Sequence, residues 1–294
     1  MGNVLDMSKS RRDFERYIPY LLILPALSYL IFFIGYPLIQ ALYLALFPYG
    51  RFSMENIDYL FTSPFSRFEE AFANTIILVI TIIPIQVAIA IGLAMLFNMK
   101  FPGRNTALYM VVLPLTISDV AAGLIWYSLL SSNGFFNKLL INLGLISEPI
   151  QFFGYQFRHM EFLAIVLTEL WRATAIVFVI LFAGLQMISR EYIEAAEVFG
   201  ATVWQRIRYI VFPMLKPSLQ AALIIRTLFA FQIFGVVWIL AGRDIPVLAG
   251  EAYYEQVELK HTGVAAIYAL IIALISIAIG YIYIKLFKAK YLEV

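Results

Sequence analysis

The stretch SREYIEAAEVFGATVWQRIRYIVFPMLKP, residues 189–217, carries three glutamates, three arginines and a lysine between two long apolar runs. The chain around it has 294 residues, of which 62% are hydrophobic and only 14% are charged. A soluble globular domain carries about 25% charged residues. The composition therefore predicts a polytopic membrane protein, and residues 189–217 form its most highly charged segment between two spans.

Composition also excludes several classes of function. The formal net charge of +2 is too small to indicate a nucleic-acid partner, and the absence of cysteine excludes both a disulfide framework and a cysteine-based metal site. The two histidines, His159 and His261, have no partner at ligand spacing. The sequence contains no G-x-x-x-x-G-K-[ST] phosphate loop, so no ATP site is expected in this chain.

Six apolar runs are long enough to cross about 30 Å of hydrocarbon. They are residues 17–46, 73–97, 106–130, 161–187, 217–241 and 264–287. The predicted fold class is an all-α membrane protein with six transmembrane helices. The first run contains three prolines, which predict a tilted or broken helix, and Pro84 and Pro114 are expected to kink the second and third.

The distribution of basic residues predicts the orientation. With the N-terminus in the cytoplasm, the inner segments hold thirteen Lys and Arg residues and the outer segments hold six. Cytoplasmic loops carry such an excess. Both termini are therefore expected in the cytoplasm, in tails 1–16 and 288–294, and residues 189–213 become a cytoplasmic loop between spans four and five.

The loop itself is expected to form two short helices joined by an elbow. Ser189 can cap the first helix, with Glu194 near its first turn, and Gly200 is expected either to break this helix or to let it pack closely. A second amphipathic helix follows, and Pro213 and Pro217 are expected to end it and begin the fifth span. Three interpretations remain open at this point: a helix lying on lipid, a solvated connector, or a helix docked into a groove of a cytoplasmic partner.

The same stretch resembles the EAA loop of importer-type ABC permeases, in which Glu-Ala-Ala is followed by a glycine and then by Ile and Pro. In this chain the matching positions are Glu194, Ala195, Ala196, Gly200, Ile210 and Pro213. Phe199 departs from the family, which often has Asp there, and suggests a more apolar contact. The stretches YLLILPALSYLIFFIGYPLIQALYLALF and LPLTISDVAAGLIWYSLLSSNGFFNKLLINLGL also resemble the sugar-permease branch of that family.

This resemblance implies the type I ABC importer permease fold with a cytoplasmic coupling helix in a prokaryotic plasma membrane. Residues 17–70 would form the first transmembrane helix and an outer loop, and residues 71–287 the five-helix importer domain with coupling loop 189–213. The partners implied are a second homologous permease, two ATP-binding cassette ATPases, an extracellular solute-binding protein and membrane lipid, without nucleic acid. ATP and Mg²⁺ would be bound by the ATPase partners, so this chain would be a transport subunit without a cofactor or enzymatic activity.

Polar and aromatic side chains within the spans are candidates for the solute pathway. They are Gln86, Asp119, Glu169, Arg172, Gln232, Trp126, Trp171 and Trp238. Each also has a structural interpretation. Glu169 and Arg172, three residues apart, can pair on one helix face, the glutamines can bond neighbouring helices, and the tryptophans can fill packing space. Arg226 is expected to pair with Asp119 or to reach the cytoplasmic interface.

Neutral hydrogen-bonding groups at mid-depth suit a sugar. A non-sugar solute such as glycerol phosphate remains an alternative, which a basic cluster at mid-depth would favour. An intramembrane enzyme would need a nucleophile or metal constellation within the spans, and a passive scaffold would not need the coupling loop. The acidic residues of the outer loops, among them Glu161, Glu251 and Glu255, are interpreted as a solvated face, with docking of a binding protein as the alternative.

Overall fold

The computed structural model describes residues 17–286, and within that range every regular element is a helix. In chain order the helices are α1 (Tyr17–Leu46), α2 (Glu55–Thr62), α3 (Phe68–Asn98), α4 (Arg104–Thr116), α5 (Asp119–Leu130), α6 (Phe135–Asn142), α7 (Arg158–Gln186), α8 (Arg190–Val198), α9 (Val203–Phe231), α10 (Gly235–Leu240), α11 (Leu248–Val257) and α12 (Thr262–Leu286). The predicted tails 1–16 and 288–294 lie outside the described residues.

Five of these helices, α1, α3, α7, α9 and α12, are long and apolar enough to cross a membrane. A sixth span is obtained if the bent pair Arg104–Thr116 and Asp119–Asn142 counts as one. The prediction of a six-span, all-α membrane protein is therefore confirmed at the level of fold class. The helices α3, α7 and α9 pack against one another at the centre, while α1 lies at the edge against α12.

Two prolines are accommodated by wider helical turns. The predicted run 17–46 matches α1, whereas the predicted start of the fifth span after Pro213 is wrong. Residues Ile31–Gly35 and Ile207–Val211 form π-helical turns, and each turn ends two residues before a proline, Pro37 or Pro213. A proline inside an α-helix lacks the N–H donor and crowds the preceding turn, and a π-turn loosens that turn. Helix α1 is therefore continuous rather than broken, and α9 begins at Val203 rather than after Pro213.

The predicted third span, 106–130, is not one kinked helix. Its two halves meet at 108°. Pro114 lies in a 3-10 turn, Ile117 is extended, and the side chain of Ser118 accepts a hydrogen bond from the backbone N–H of Ala121. Because Ser118 caps a new helix, the chain changes direction before Asp119.

The predicted fifth span, 217–241, is wrong at both ends. Helix α9 starts earlier and ends at Phe231, and α10 follows as a separate helix of six residues. Phe234, with φ −142° and ψ −64°, separates the two. After a turn at Gly242, α11 packs against α3 and α12.

Helices α7 and α9 cross in close contact. A Cβ atom added at Gly184 would lie 2.6 Å from the Cβ of Ser218, so only glycine fits at this crossing. Around it lie large buried side chains, including Phe97, Phe178 and Leu215. This cluster holds together the end of the bundle that carries α8.

Candidate functional site

The segment 189–202 forms a rigid elbow between α7 and α9. Ser189 caps α8 by accepting a hydrogen bond from the N–H of Glu191 at 3.3 Å, as the sequence predicts. Gly200 ends α8 with φ +78°, and its N–H and that of Ala201 donate to the carbonyls of Glu197 and Ala196, both at 2.9 Å. This is a left-handed C-cap, which glycine adopts at no steric cost. The predicted break at Gly200 is therefore confirmed.

The helix that follows the elbow, α9, is also capped at its start. Thr202 and Gln205 form a reciprocal capping box at the start of α9, with bonds of 3.3 and 2.7 Å. An ion pair between Glu197 and Arg206 links the two helices. The elbow is thus held by capping hydrogen bonds at both helices and by one charge pair.

Apolar side chains project from this elbow away from the bundle. Phe199 is 90% exposed and Val198 is 85% exposed, and Trp204 and Tyr192 are exposed beside them. An exposed cluster of large apolar groups on a monomer marks an interaction surface. The sequence alone identified only Phe199 here, because helical spacing does not show which side of α8 faces the bundle.

The other residues assigned to coupling are distributed around the elbow. Glu194, Ala195, Phe199, Gly200 and Pro213 are exposed, and Ala196 and Ile210 are half-buried. Glu194 lies beside a cavity between α8 and the ends of α3 and α7. The docking role of these seven residues stays a prediction.

Inside the bundle, four helices are joined by one chain of charged and polar contacts. Arg226 of α9 donates to Glu169 of α7 at 2.7 Å and to the Oε1 of Gln86 of α3 at 2.7 Å. Gln86 donates in turn to the backbone carbonyl of Glu169 at 2.8 Å. Arg172 bridges the carboxylates of Glu169, at 2.9 Å, and Asp119, at 2.8 Å. The two arginines are thus balanced by two carboxylates.

The predicted pair of Glu169 with Arg172 is confirmed, whereas the predicted partners of Arg226 are wrong. Arg226 is buried and pairs with Glu169, because α9 packs directly on α7. Asp119 pairs with Arg172 instead. A buried charge in this setting must be paired and hydrogen-bonded. The network loosens toward α5, since the side chain of Asp119 is 45% exposed and that of Arg172 is 19% exposed.

The aromatic candidates fall into two groups. Trp126 of α5 and Trp171 of α7 meet edge to face with ring centroids 6.2 Å apart. Trp238 is separate and packs against Phe234 and Tyr253, at 5.6 and 5.1 Å. All three tryptophans are half-buried, which leaves part of each ring accessible. The sequence predicted the tryptophans as candidates but not Tyr253, a residue of α11 whose ring lies beside Trp238.

Gln232, exposed in the break after α9, has no side-chain hydrogen-bond partner within residues 17–286. Gln86 and Glu169, by contrast, are fully enclosed in this chain. The structure therefore separates the eight residues into an enclosed part and an accessible part, and contact with a solute stays a prediction for each.

The end of the bundle opposite α8 is not a simple solvated face. Glu161, Glu251 and Glu255 are buried. Arg243 binds Glu251 through two bonds of 2.7 and 3.0 Å, while Glu255 contacts the Nδ1 of His261 at 3.0 Å. The solvated interpretation is wrong for these three acids, because α11 folds back into the bundle and carries two of them inside.

Burial changes the pKa values of two charged residues at this end of the bundle, Glu255 and Arg243. Burial raises the pKa of Glu255, and the bond from His261 offsets that rise only in part. Burial alone would lower the pKa of Arg243, but hydrogen bonding and the charge of Glu251 outweigh it and hold the pKa above its ordinary value. Arg243 is therefore charged at any physiological pH, and its guanidinium lies 3.6 Å from the ring centroid of Tyr254.

Within residues 17–286 the chain forms a bundle of five or six helices long and apolar enough to span a membrane, with an exposed, capped elbow between two of them. The chain belongs to the family of binding-protein-dependent transport system inner membrane components, whose model matches residues 60–290. The match excludes α1, the outermost helix. The chain is thus an inner-membrane, multi-pass component of such a transport system.

Individual relatives agree with that family. The chain is 30% identical to the sulfoquinovosyl glycerol transport system permease protein of Agrobacterium fabrum, over 94% of this chain and 92% of the relative. It is 32% identical to the lactose transport system permease protein of Rhizobium radiobacter, over 78% of each. Its fold matches a chain of a bacterial alginate ABC transporter, solved in complex with an alginate pentasaccharide-bound periplasmic protein, with a TM-score of 0.81, 22% identity and coverage of 95% and 98%.

Proposed function

We propose that this chain is one permease subunit of an ATP-driven importer that moves a sugar delivered by an extracellular binding protein. ATP would be hydrolysed by two ATPase subunits, and a second homologous permease would complete the pathway. The observation that carries the proposal is the exposed apolar surface on a capped elbow between α7 and α9. Such a surface needs a partner, and the relatives named above are permeases of transport systems.

The elbow is proposed to lie in the cytoplasm and to dock into a groove of one ATPase subunit. The sequence favours this orientation, since the segments on the elbow's side of the predicted spans hold thirteen Lys and Arg residues and those on the other side hold six. The interpretation of α8 as a helix lying flat on lipid is disfavoured because its three glutamates, Glu191, Glu194 and Glu197, outnumber its single basic residue.

A neutral sugar is favoured over an anion such as glycerol phosphate. An anionic solute would need spare positive charge at mid-depth. Arg172 and Arg226 are both engaged by carboxylates, so neither is available. The accessible candidates are instead Gln232, the rings of Trp126 and Trp238, and the Asp119 side of the network, which offer hydrogen bonds and stacking surfaces to hydroxyl-rich rings.

The proposal is tested by Phe199→Asp in a strain that expresses the complete transporter. A charge at the centre of the apolar surface should abolish sugar uptake and remove the ATPase subunits that co-purify with the chain. The matched control is Tyr49→Asp, since Tyr49 is 94% exposed at the opposite end. Normal uptake with normal ATPase recovery in the Phe199 variant would show that this surface is not the coupling site.

A further inference from the structure

A cavity of about 530 Å³ lies between α8 and the ends of α3 and α7. Its volume falls in the range of small-molecule sites, about 300–1,000 Å³. Lys100, Arg104 and Arg190 line it, and they come from three different parts of the chain: the turn after α3, the first residue of α4, and the first residue of α8. The fold therefore brings three cations to one cavity.

These three cations have no partner of opposite charge. Within residues 17–286, no carboxylate lies within ion-pair distance of any of them. Arg104 is held in place by a bond of 2.7 Å from its Nε to the carbonyl of Phe97 and by the ring of Phe182, 5.6 Å away. Those contacts leave its terminal nitrogens without a protein acceptor.

The remaining charges of the cavity do not cancel this excess. Glu194 and Glu197 also line it, so three cations face two carboxylates. Glu197 is already bound by Arg206, which leaves one carboxylate for three cations. Arg190 stands at the N-terminus of α8, where a positive side chain is unfavourable and an anion is favourable. An anion in the cavity would relieve both imbalances.

We infer that this cavity binds a phosphate group, and that the phosphate is carried by the headgroup of an anionic phospholipid. Apolar side chains of Leu185, Ile188 and Ile193 also line the cavity, so a ligand with both a phosphate and an apolar part fits it better than a free ion does. The cavity lies beside the ends of α3 and α7, two of the helices long and apolar enough to span a membrane, so we place it near the headgroup region. A lipid bound here touches the elbow and the spans together, so lipid composition would set how firmly they are joined.

The test uses the full chain, purified in neutral detergent and titrated with short-chain phosphatidylglycerol, with short-chain phosphatidylcholine and, in a separate arm, with inorganic phosphate. Native mass spectrometry measures the bound fraction. Phosphatidylglycerol should bind several-fold more tightly than phosphatidylcholine. The double variant Lys100→Gln, Arg190→Gln should lose about fivefold in affinity for each charge removed. Both side chains are exposed, and Arg104, which supports the fold, stays intact.

Lys216→Gln is the matched control, since Lys216 is exposed near the same end but does not line the cavity. Phosphate binding that depends on Lys100 and Arg190, without a preference for phosphatidylglycerol, would support the phosphate site and assign it to the free ion. Equal binding of the two lipids by the wild type, with no phosphate binding, would overturn the inference. The inference is also overturned if the double variant binds lipid normally but, expressed in the complete transporter, loses the co-purifying ATPase subunits, because the cations would then belong to the protein interface.

Discussion

Arg226 and Glu169 form an ion pair of 2.7 Å at the centre of the bundle, with 3% and 1% of their side chains exposed. The pair joins α9 to α7, and Gln86 and Arg172 complete its hydrogen bonds from α3 and from the next turn of α7. α9 is the helix that continues from the elbow. On the proposed function, a movement of the elbow would therefore be carried along α9 to the centre of the bundle, where charge holds α9 to α7.

Removing one member of that pair should destabilise the protein strongly. Arg226→Met leaves Glu169 with one cation in place of two, and breaking a buried pair costs about 3–5 kcal/mol. Thermal unfolding in detergent measures the loss. The exposed Arg208→Met is the control and should change little. The double variant Arg226→Met, Glu169→Leu should lose less than the sum of the single variants, and additive losses would contradict direct coupling.

The accessible end of the network should behave differently. Asp119→Asn weakens a half-exposed pair with Arg172, and such pairs contribute about 0–1 kcal/mol. We therefore expect near-normal thermal stability, and a raised apparent KM for sugar uptake if the pathway passes this point. A large loss of stability at unchanged uptake would instead place Asp119 in the structural framework.

Gly184, at the crossing of α7 and α9, and Gly92, in open space on α3, form a matched pair of glycines. Gly184→Ala would bring its Cβ within 2.6 Å of the Ser218 Cβ, and overpacking of this kind costs about 1–3 kcal/mol. Gly92→Ala, in α3 with open space around it, should be neutral or should stabilise by up to about 1 kcal/mol. Melting temperatures of the two variants test this difference. Equal values would mean that α7 and α9 do not approach this closely.

The elbow should depend on the backbone of Gly200 rather than on its size. A Cβ added there meets nothing within 4 Å, yet φ is +78°. Gly200→Ala should cost about 1 kcal/mol through strain, whereas Gly200→Asn, which tolerates this conformation better, should cost less. Sugar uptake should follow the same order. A variant with alanine as active and as stable as the wild type would contradict the importance of this cap.

The sequence predicted the features that depend on local chemistry. Ser189 and Gly200 were assigned correctly because a cap needs only the residues beside it, and the spans appeared because an apolar run is visible in one dimension. Prolines led to a wrong start for the fifth span and to the expectation that α1 would be tilted or broken, since a π-turn that accommodates a proline leaves no signal in the composition. The break before Asp119 was expected only as a kink, although Ser118 could have indicated a new helix start.

The sequence predicted which residues take part in the buried polar network, but not all of the contacts between them. Glu169 and Arg172 share one helix, so their spacing gave the pair. The partner of Arg226 depends on how α9 packs on α7, which a single sequence does not specify. The cavity of Lys100, Arg104 and Arg190 is likewise a product of packing, because these residues are up to 90 positions apart in the chain.

The most direct test of the central claim uses the natural absence of cysteine. The variant Val198→Cys is expressed in a transporter whose partners also lack accessible cysteine. Cells and vesicles that contain it are then treated with a membrane-impermeant maleimide. We predict no labelling in intact cells, weak labelling in inside-out vesicles, and strong labelling once the ATPase subunits are stripped from those vesicles. Labelling from outside intact cells, or labelling that is indifferent to the ATPase subunits, would contradict the account.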